Sequence, residues 1–119
     1  MPILDVEIIL KPDEELREGL AGEIADAAGE IMGSEAGRTW VKLRELPRVR
    51  YAENEDGPPK GVWPVFVDVL KGELPPGEEM NIEAGKLAEE IGRICKRPQE
   101  NVHILYLPAG VGRIFFGGR

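Results

Sequence analysis

One residue near the start of the chain has chemistry available to it that no internal residue shares. Pro2 directly follows the initiator Met1, and a small residue in that place generally lets the initiator be trimmed. Trimming makes Pro2 the amino terminus, a secondary amine instead of an amide. Behind it, residues 3–10 are rich in Ile, Leu and Val with acids at Asp5 and Glu7, and read as a strand. A terminus carried into a sheet is held, not frayed. In partly apolar surroundings the charged form of such an amine is disfavoured, which lowers its pKa and suits it to act as a neutral general base near pH 7. Against this stands the plainer reading that proline is simply a common second residue. Ten residues leave both open.

Other reactive signatures are missing. The single cysteine, Cys95, and the single histidine, His103, make no metal-ligand cluster, and no metal spacing occurs elsewhere. There is no Gly-rich phosphate loop, no GxSxG and no nucleophile triad set by spacing. Neither a cofactor nor a metal is therefore expected. The formal net charge of -7, from 15 Lys+Arg against 22 Asp+Glu, argues against nucleic acid or an anionic membrane as partner, since both require a basic surface. No apolar run approaches the roughly 20 residues of a membrane span, and no charged-then-apolar leader is evident. A lone cysteine cannot form an internal disulfide, which points to a reducing cytoplasm. At 119 residues, one domain is expected, with oligomerisation a help to its stability.

The elements that must position Pro2 follow from periodicity. Lys11-Pro12-Asp13 is a turn, with Asp13 as the expected cap of a helix beginning at Glu14-Glu15. Leu16, Leu20, Ile24, Ala28 and Ile31 form its apolar stripe, and Gly33 stops it. Residues 39–46, TWVKLREL, alternate as a second strand closed by Pro47. Residues 48–62, with Gly57-Pro58-Pro59 inside, read as a loop or hairpin excursion. A third strand is expected over 64–70, a second helix over 78–96 with Met80, Ala84, Leu87, Ile91 and Ile94 in its stripe, and a fourth strand over 101–107. The glycine-spaced tail AGVGRIFFGGR suits a short ribbon added to a neighbour.

Written as β-α-β twice, the two halves match at an offset of about 61 residues. Pro2-Ile-Leu-Asp-Val falls on Pro64-Val-Phe-Val-Asp-Val, Lys11 near Lys71, and TWVKLRELP on ENVHILYLP without a gap, putting Lys42 on His103. The fold class expected is α/β in the two-layer α+β sense: duplicated βαβ units, about 1–62 and 63–119, forming one domain over residues 1–119. Right-handed crossovers then give a four-stranded mixed sheet with both helices on one face. Its other face, expected to be lined by Val and Ile, requires burial against further subunits. Pro64 is internal and cannot be an amine, so the chain has one such site.

This pattern resembles the tautomerase superfamily of amino-terminal proline enzymes. Pro2, the duplicated βαβ half, and VHILYLPAGVGRIFFGG with its glycine-rich ending carry the likeness. The second half is similar to the small 4-oxalocrotonate tautomerase subunit. In length the chain is closer to macrophage migration inhibitory factor and the malonate semialdehyde decarboxylase branch. VKLRELP, GVWPVFVDVL and NVHILYLP are similar to the cis-3-chloroacrylic acid dehalogenase branch. The resemblance implies a tautomerase/MIF-like homotrimer whose catalytic residue is Pro2, acting on a small carboxylated keto-enol substrate. It implies substrate-binding roles for Lys71, at or beside a carboxylate-binding arginine of the dehalogenase branch, and for His103, where relatives carry Arg or Tyr. Lys11 and Lys42 are their counterparts in the first half, and Arg113 is a further basic candidate in the tail. Two alternatives remain: a non-catalytic trimer binding a ligand or partner in the same cleft, and a decarboxylase using protonated Pro2 as an acid. The departures are specific. Ala28 stands where the dehalogenase branch has a helix histidine, a second turn arginine falls near Leu74 or Pro75, and the tail beyond Pro108 holds no carboxylate to activate water. Efficient hydrolytic dehalogenation is not expected.

Overall fold

The computed structural model describes residues 1–55, 57 and 60–119, so Asp56, Pro58 and Pro59 of the 48–62 excursion lie outside the described residues. Six regular elements carry the fold: β1 (Ile3–Ile9), α1 (Leu20–Met32), β2 (Trp40–Leu46), β3 (Val65–Leu70), α2 (Gly77–Cys95) and β4 (Val102–Tyr106). The strands form one mixed sheet in the order β2-β1-β3-β4. Each outer pair is parallel and the central pair, β1 with β3, is antiparallel. Both helices lie on one face of the sheet, as the duplicated β-α-β pattern predicts.

Alternation in β1 decides which face the helices cover. Leu4, Val6 and Ile8 are fully buried and stand opposite Val69, Val67 and Val65 of β3. Onto this double row pack Leu20, Ile24 and Ala28 from α1 and Leu87, Ile91 and Ile94 from α2, one continuous core. A one-residue slip of either strand would turn its whole apolar row away from the helices, so burial fixes the register.

Two local expectations are corrected. The first helix starts at Leu20 behind a left-handed Gly19, not at Glu14. Asp13 sits in a turn with φ of 60° and caps nothing, because Glu14 is drawn inward, accepting the Lys11 amide at 3.0 Å and two bonds from Arg97. Nor is the open sheet face a surface of Val and Ile. It presents Trp40, Lys42 and Arg44 on β2, Ile3, Asp5 and Glu7 on β1, Phe66, Asp68 and Leu70 on β3, and His103 and Leu105 on β4. Lys42 lies 3.3 Å from Asp5 Oδ2 and Arg44 3.9 Å from Glu7, so charge pairs occupy the middle of a face with aromatic flanks. The start of the tail is held against its own chain, the Gly110 and Val111 amides donating to the carbonyls of Lys71 at 2.8 Å and Gly72 at 3.0 Å.

Far from Pro2, Arg97 closes the sheet. Its side chain is only 1% exposed. Nε donates to the Trp63 carbonyl at 3.0 Å, Nη1 to Glu14 Oε2 at 2.9 Å and the Cys95 carbonyl at 2.8 Å, and Nη2 to the Ile9 carbonyl at 2.9 Å and Glu14 Oε1 at 2.7 Å. All five guanidinium donors are used, joining the ends of β1 and α2 to the approaches of β3 and α1. Arg97→Ala would leave the Glu14 charge and three carbonyls without their donor, so it should destabilise the fold by about 3–5 kcal/mol, read as a lower urea midpoint. Arg97 also holds the Glu14 carboxyl below its ordinary value, chiefly through hydrogen bonds. The unfolded chain therefore takes up that proton first as pH falls. The stabilisation is complete above the ordinary carboxylate range and disappears as pH drops through the folded value. Glu14→Gln should flatten this acid slope in pH-dependent unfolding.

Candidate functional site at the amino-terminal proline

Antiparallel pairing of β1 with β3 sets Ile3 opposite Leu70, which brings the residue before one strand beside the residue after the other. Pro2 and Lys71 thus meet, although 69 positions separate them (71 minus 2). Pro2 is buried, and its carbonyl accepts the Trp40 amide at 3.0 Å, so its backbone is fastened to β2. The two residues share a cleft of about 510 Å³ with Met1, Gly72 and Glu73 and with tail residues that include Val111, Ile114 and Phe116. Phe116 meets the Trp40 ring edge-on, centroids 5.5 Å apart, which fastens the far end of the tail across the head of β1. The cleft therefore has an apolar wall, a buried proline at its floor and one lysine.

That lysine is not isolated. Lys71 Nζ lies 2.9 Å from Glu83 Oε2 and 3.1 Å from Oε1, and the Tyr106 hydroxyl donates to Oε1 at 2.6 Å. Burial, followed by the bond to Glu83, pushes the Tyr106 phenol well above its ordinary value, so it remains a neutral donor. Lys71 and Glu83 are 17% and 13% exposed, which makes this a largely interior pair.

The other candidates from sequence stand elsewhere in the single chain. His103 is exposed on the open face, its ring 5.4 Å from that of Phe66. Phe66 pairs with Glu7, five positions along β1 from Pro2, roughly 16 Å at the rise of a strand. Lys42 is engaged with Asp5 on the same face. Lys11 lies beyond the opposite end of β1, with Nζ 3.5 Å from the Lys96 carbonyl. Arg113 sits on the tail next to cleft residues, but its guanidinium binds the carbonyls of Pro108 at 3.0 Å and Ala109 at 2.8 Å. A larger concavity of about 590 Å³ between α1 and α2 is walled by Glu23, Asp26, Glu30, Glu89 and Glu90 and contains none of the candidates. Among the described residues no His, Cys, Asp and Glu group is arranged to hold a metal.

Sequence reasoning missed Glu73, Glu83 and Tyr106. One signal for Glu83 was present: it lies three positions after Met80 and four before Leu87, an acid within the apolar stripe of α2.

No family model and no curated protein matches the sequence. Solved structures do match. Pt0534, inactivated by 2-oxo-3-pentynoate, superposes with a TM-score of 0.74 at 18% identity, over 98% of this chain and 92% of that one. FG41 malonate semialdehyde decarboxylase, inhibited by 3-bromopropiolate, gives 0.70 at 14% identity, over 98% and 91%. A fused 4-OT, a symmetric trimer, gives 0.66 at 14% identity, over 88% and 83%. These neighbours are tautomerase-superfamily proteins, and this chain has their fold.

Gly110 keeps the tail wall in place. A Cβ there would lie 2.7 Å from Ile114 Cγ1 and 3.3 Å from Leu70 Cδ1. Gly110→Ala should cost about 1–3 kcal/mol, as overpacking does. Faster amide exchange at Gly110 and Val111 than in the parent protein, measured by hydrogen exchange, is the expected signature.

Proposed function

We propose that this chain is a cofactor-independent tautomerase, a cytoplasmic homotrimer that moves a proton on a small carboxylated keto-enol compound with Pro2 as general base. The observation that carries this reading is the seat of Pro2, buried at the head of the central strand in a cleft shared with Lys71. Freed of Met1, its nitrogen is a secondary amine. Desolvation of the buried nitrogen disfavours its protonated form, which suits it to act as a neutral base near pH 7. It takes a proton from the enol oxygen or from the carbon alpha to the carbonyl. The released electron pair spreads into the conjugated system as a dienolate, and the prolinium returns the proton at the other position. Negative charge on the substrate oxygen is met by a fixed donor. Lys71 has three ammonium protons, and its two contacts to Glu83 leave one for the ligand.

Lys42 and His103 stand on the sheet face that a trimer would enclose, so any contact they make with substrate crosses a subunit boundary. Arg113 would first have to release two carbonyls. Lys11, at the far end of β1, has the least claim. Support for the trimer comes from the uncovered sheet face and from the trimeric fused 4-OT of the same fold. No described helix is long and apolar enough to cross a membrane.

Purified protein beginning at Pro2 should ketonise 2-hydroxydienoates or phenylenolpyruvate, followed by ultraviolet absorbance. Pro2→Ala should lower that rate by roughly 10²–10⁴-fold, the usual contribution of a general base. An unchanged rate would place the base elsewhere. A native mass that includes Met1 would leave a binding cleft with no proline amine, favouring the non-catalytic alternative. Sedimentation should give a trimer at micromolar concentration, and a stable monomer would refute the assembly.

A further inference from the structure

We propose that Glu83 is a positioning residue that sets the charge of the Pro2 cleft. By holding Lys71 in a two-pronged pair, it makes the lysine a directed hydrogen-bond donor and withholds it as a clamp for anions. The cleft then discriminates against each additional negative charge on a ligand. The inference rests on this cleft being the ligand site, but not on Pro2 acting as a base.

Three observations carry it. First, both Glu83 oxygens face the ammonium, at 2.9 and 3.1 Å, so the lysine charge is compensated from below. Second, the carboxylate is itself fixed. Tyr106 donates to Oε1 at 2.6 Å from the end of β4, while the backbone of Lys71 is fastened by the Gly110 amide at 2.8 Å. Neither partner of the pair can swing freely to a ligand. Third, little water reaches the pair, whose side chains are 17% and 13% exposed, so the attraction is screened less than at a surface.

The only other charged side chain lining the cleft among the described residues is Glu73, exposed at its rim. Lys71 at +1 with Glu83 and Glu73 at -1 each sum to -1, apart from the amino terminus. This net charge disfavours every ligand anion; a monoanion whose oxygen takes the third ammonium proton recovers part of that cost, and each further negative charge recovers none.

Two probes of one shape separate charge from packing: benzoate and the neutral benzamide, titrated calorimetrically into the trimmed full-length protein. Glu83→Gln retains size and an acceptor for Tyr106 but removes the charge. It should tighten benzoate about tenfold, the effect of one uncompensated charge a few ångströms away in a protein cleft, while benzamide moves less than about twofold. Benzoate binding seen only in the variant would also support the inference. Unchanged benzoate affinity, binding of benzoate to neither protein, or equal shifts for both probes would overturn it, the last revealing a merely structural role. Should Glu83→Gln fail to fold, the parent protein decides by itself: isophthalate, the dianion built on the benzoate frame, should bind at least about tenfold more weakly than benzoate, whereas equal or tighter binding of isophthalate would overturn the inference. None of these readouts requires turnover, so a protein without tautomerase activity still decides the matter.

Discussion

The antiparallel seam between β1 and β3 is the constraint on which the rest of the molecule depends. Within each half the strands run parallel, and a parallel pair must be joined by a long crossover, supplied by α1 in the first half and α2 in the second. Only where the halves join does the direction reverse. That reversal brings the start of β1 against the end of β3, and so puts Pro2 beside Lys71. The register is held by the facing rows of Leu4, Val6 and Ile8 with Val69, Val67 and Val65, all fully or almost fully buried. The site is therefore a consequence of core packing, although neither of its two principal residues belongs to the core cluster.

The two ends of the seam have opposite characters. At one end Arg97 fills the space, with every donor satisfied and an acid partner to balance its charge. A planar fork suits this task, because it reaches three carbonyls and both oxygens of Glu14 at once. Cys95 is buried beside it, and burial pushes its thiol up to about 11, so it remains a protonated packing group. At the other end a lysine takes the comparable post. Its compact ammonium is held by Glu83 and, through that carboxylate, by Tyr106. Beside it lies the cleft of about 510 Å³, lined in part by the tail. One end of the seam is a rivet and the other a cleft.

The open sheet face follows a different logic from the core. Asp5 stands directly across the seam from Asp68, and like charges in that relation are unfavourable unless cations intervene. Lys42 and Arg44 supply them from β2. Asp5 Oδ1 is nevertheless buried without a hydrogen-bond partner among the described residues. A surface of this kind is not greasy. Any subunit that covers it must match charge as well as shape, with Trp40, Phe66 and Leu105 as its apolar contacts.

Local pattern alone determined much of this protein. The apolar stripes placed both helices on one face of the sheet, alternation defined four strands to within a residue or so, and the half-chain repeat gave a four-stranded sheet of two β-α-β units; the strand order came from the structure. Pro2 could be named as a candidate because it directly follows Met1, and Lys71 because the repeat placed it at a strand end; the structure puts both in one cleft. What escaped were features made by distant partners. The sequence around Asp13 and Glu14 has every local mark of a helix start, yet Arg97, 83 positions beyond Glu14, claims the carboxylate and the helix begins at Leu20. The open face could not be read as charged until the register showed which side of each strand it includes. Glu83 likewise looked like one acid among many on a helix. Its proximity to Lys71 arises from the packing of α2 against the sheet, and such pairings exist only once the chain has closed on itself.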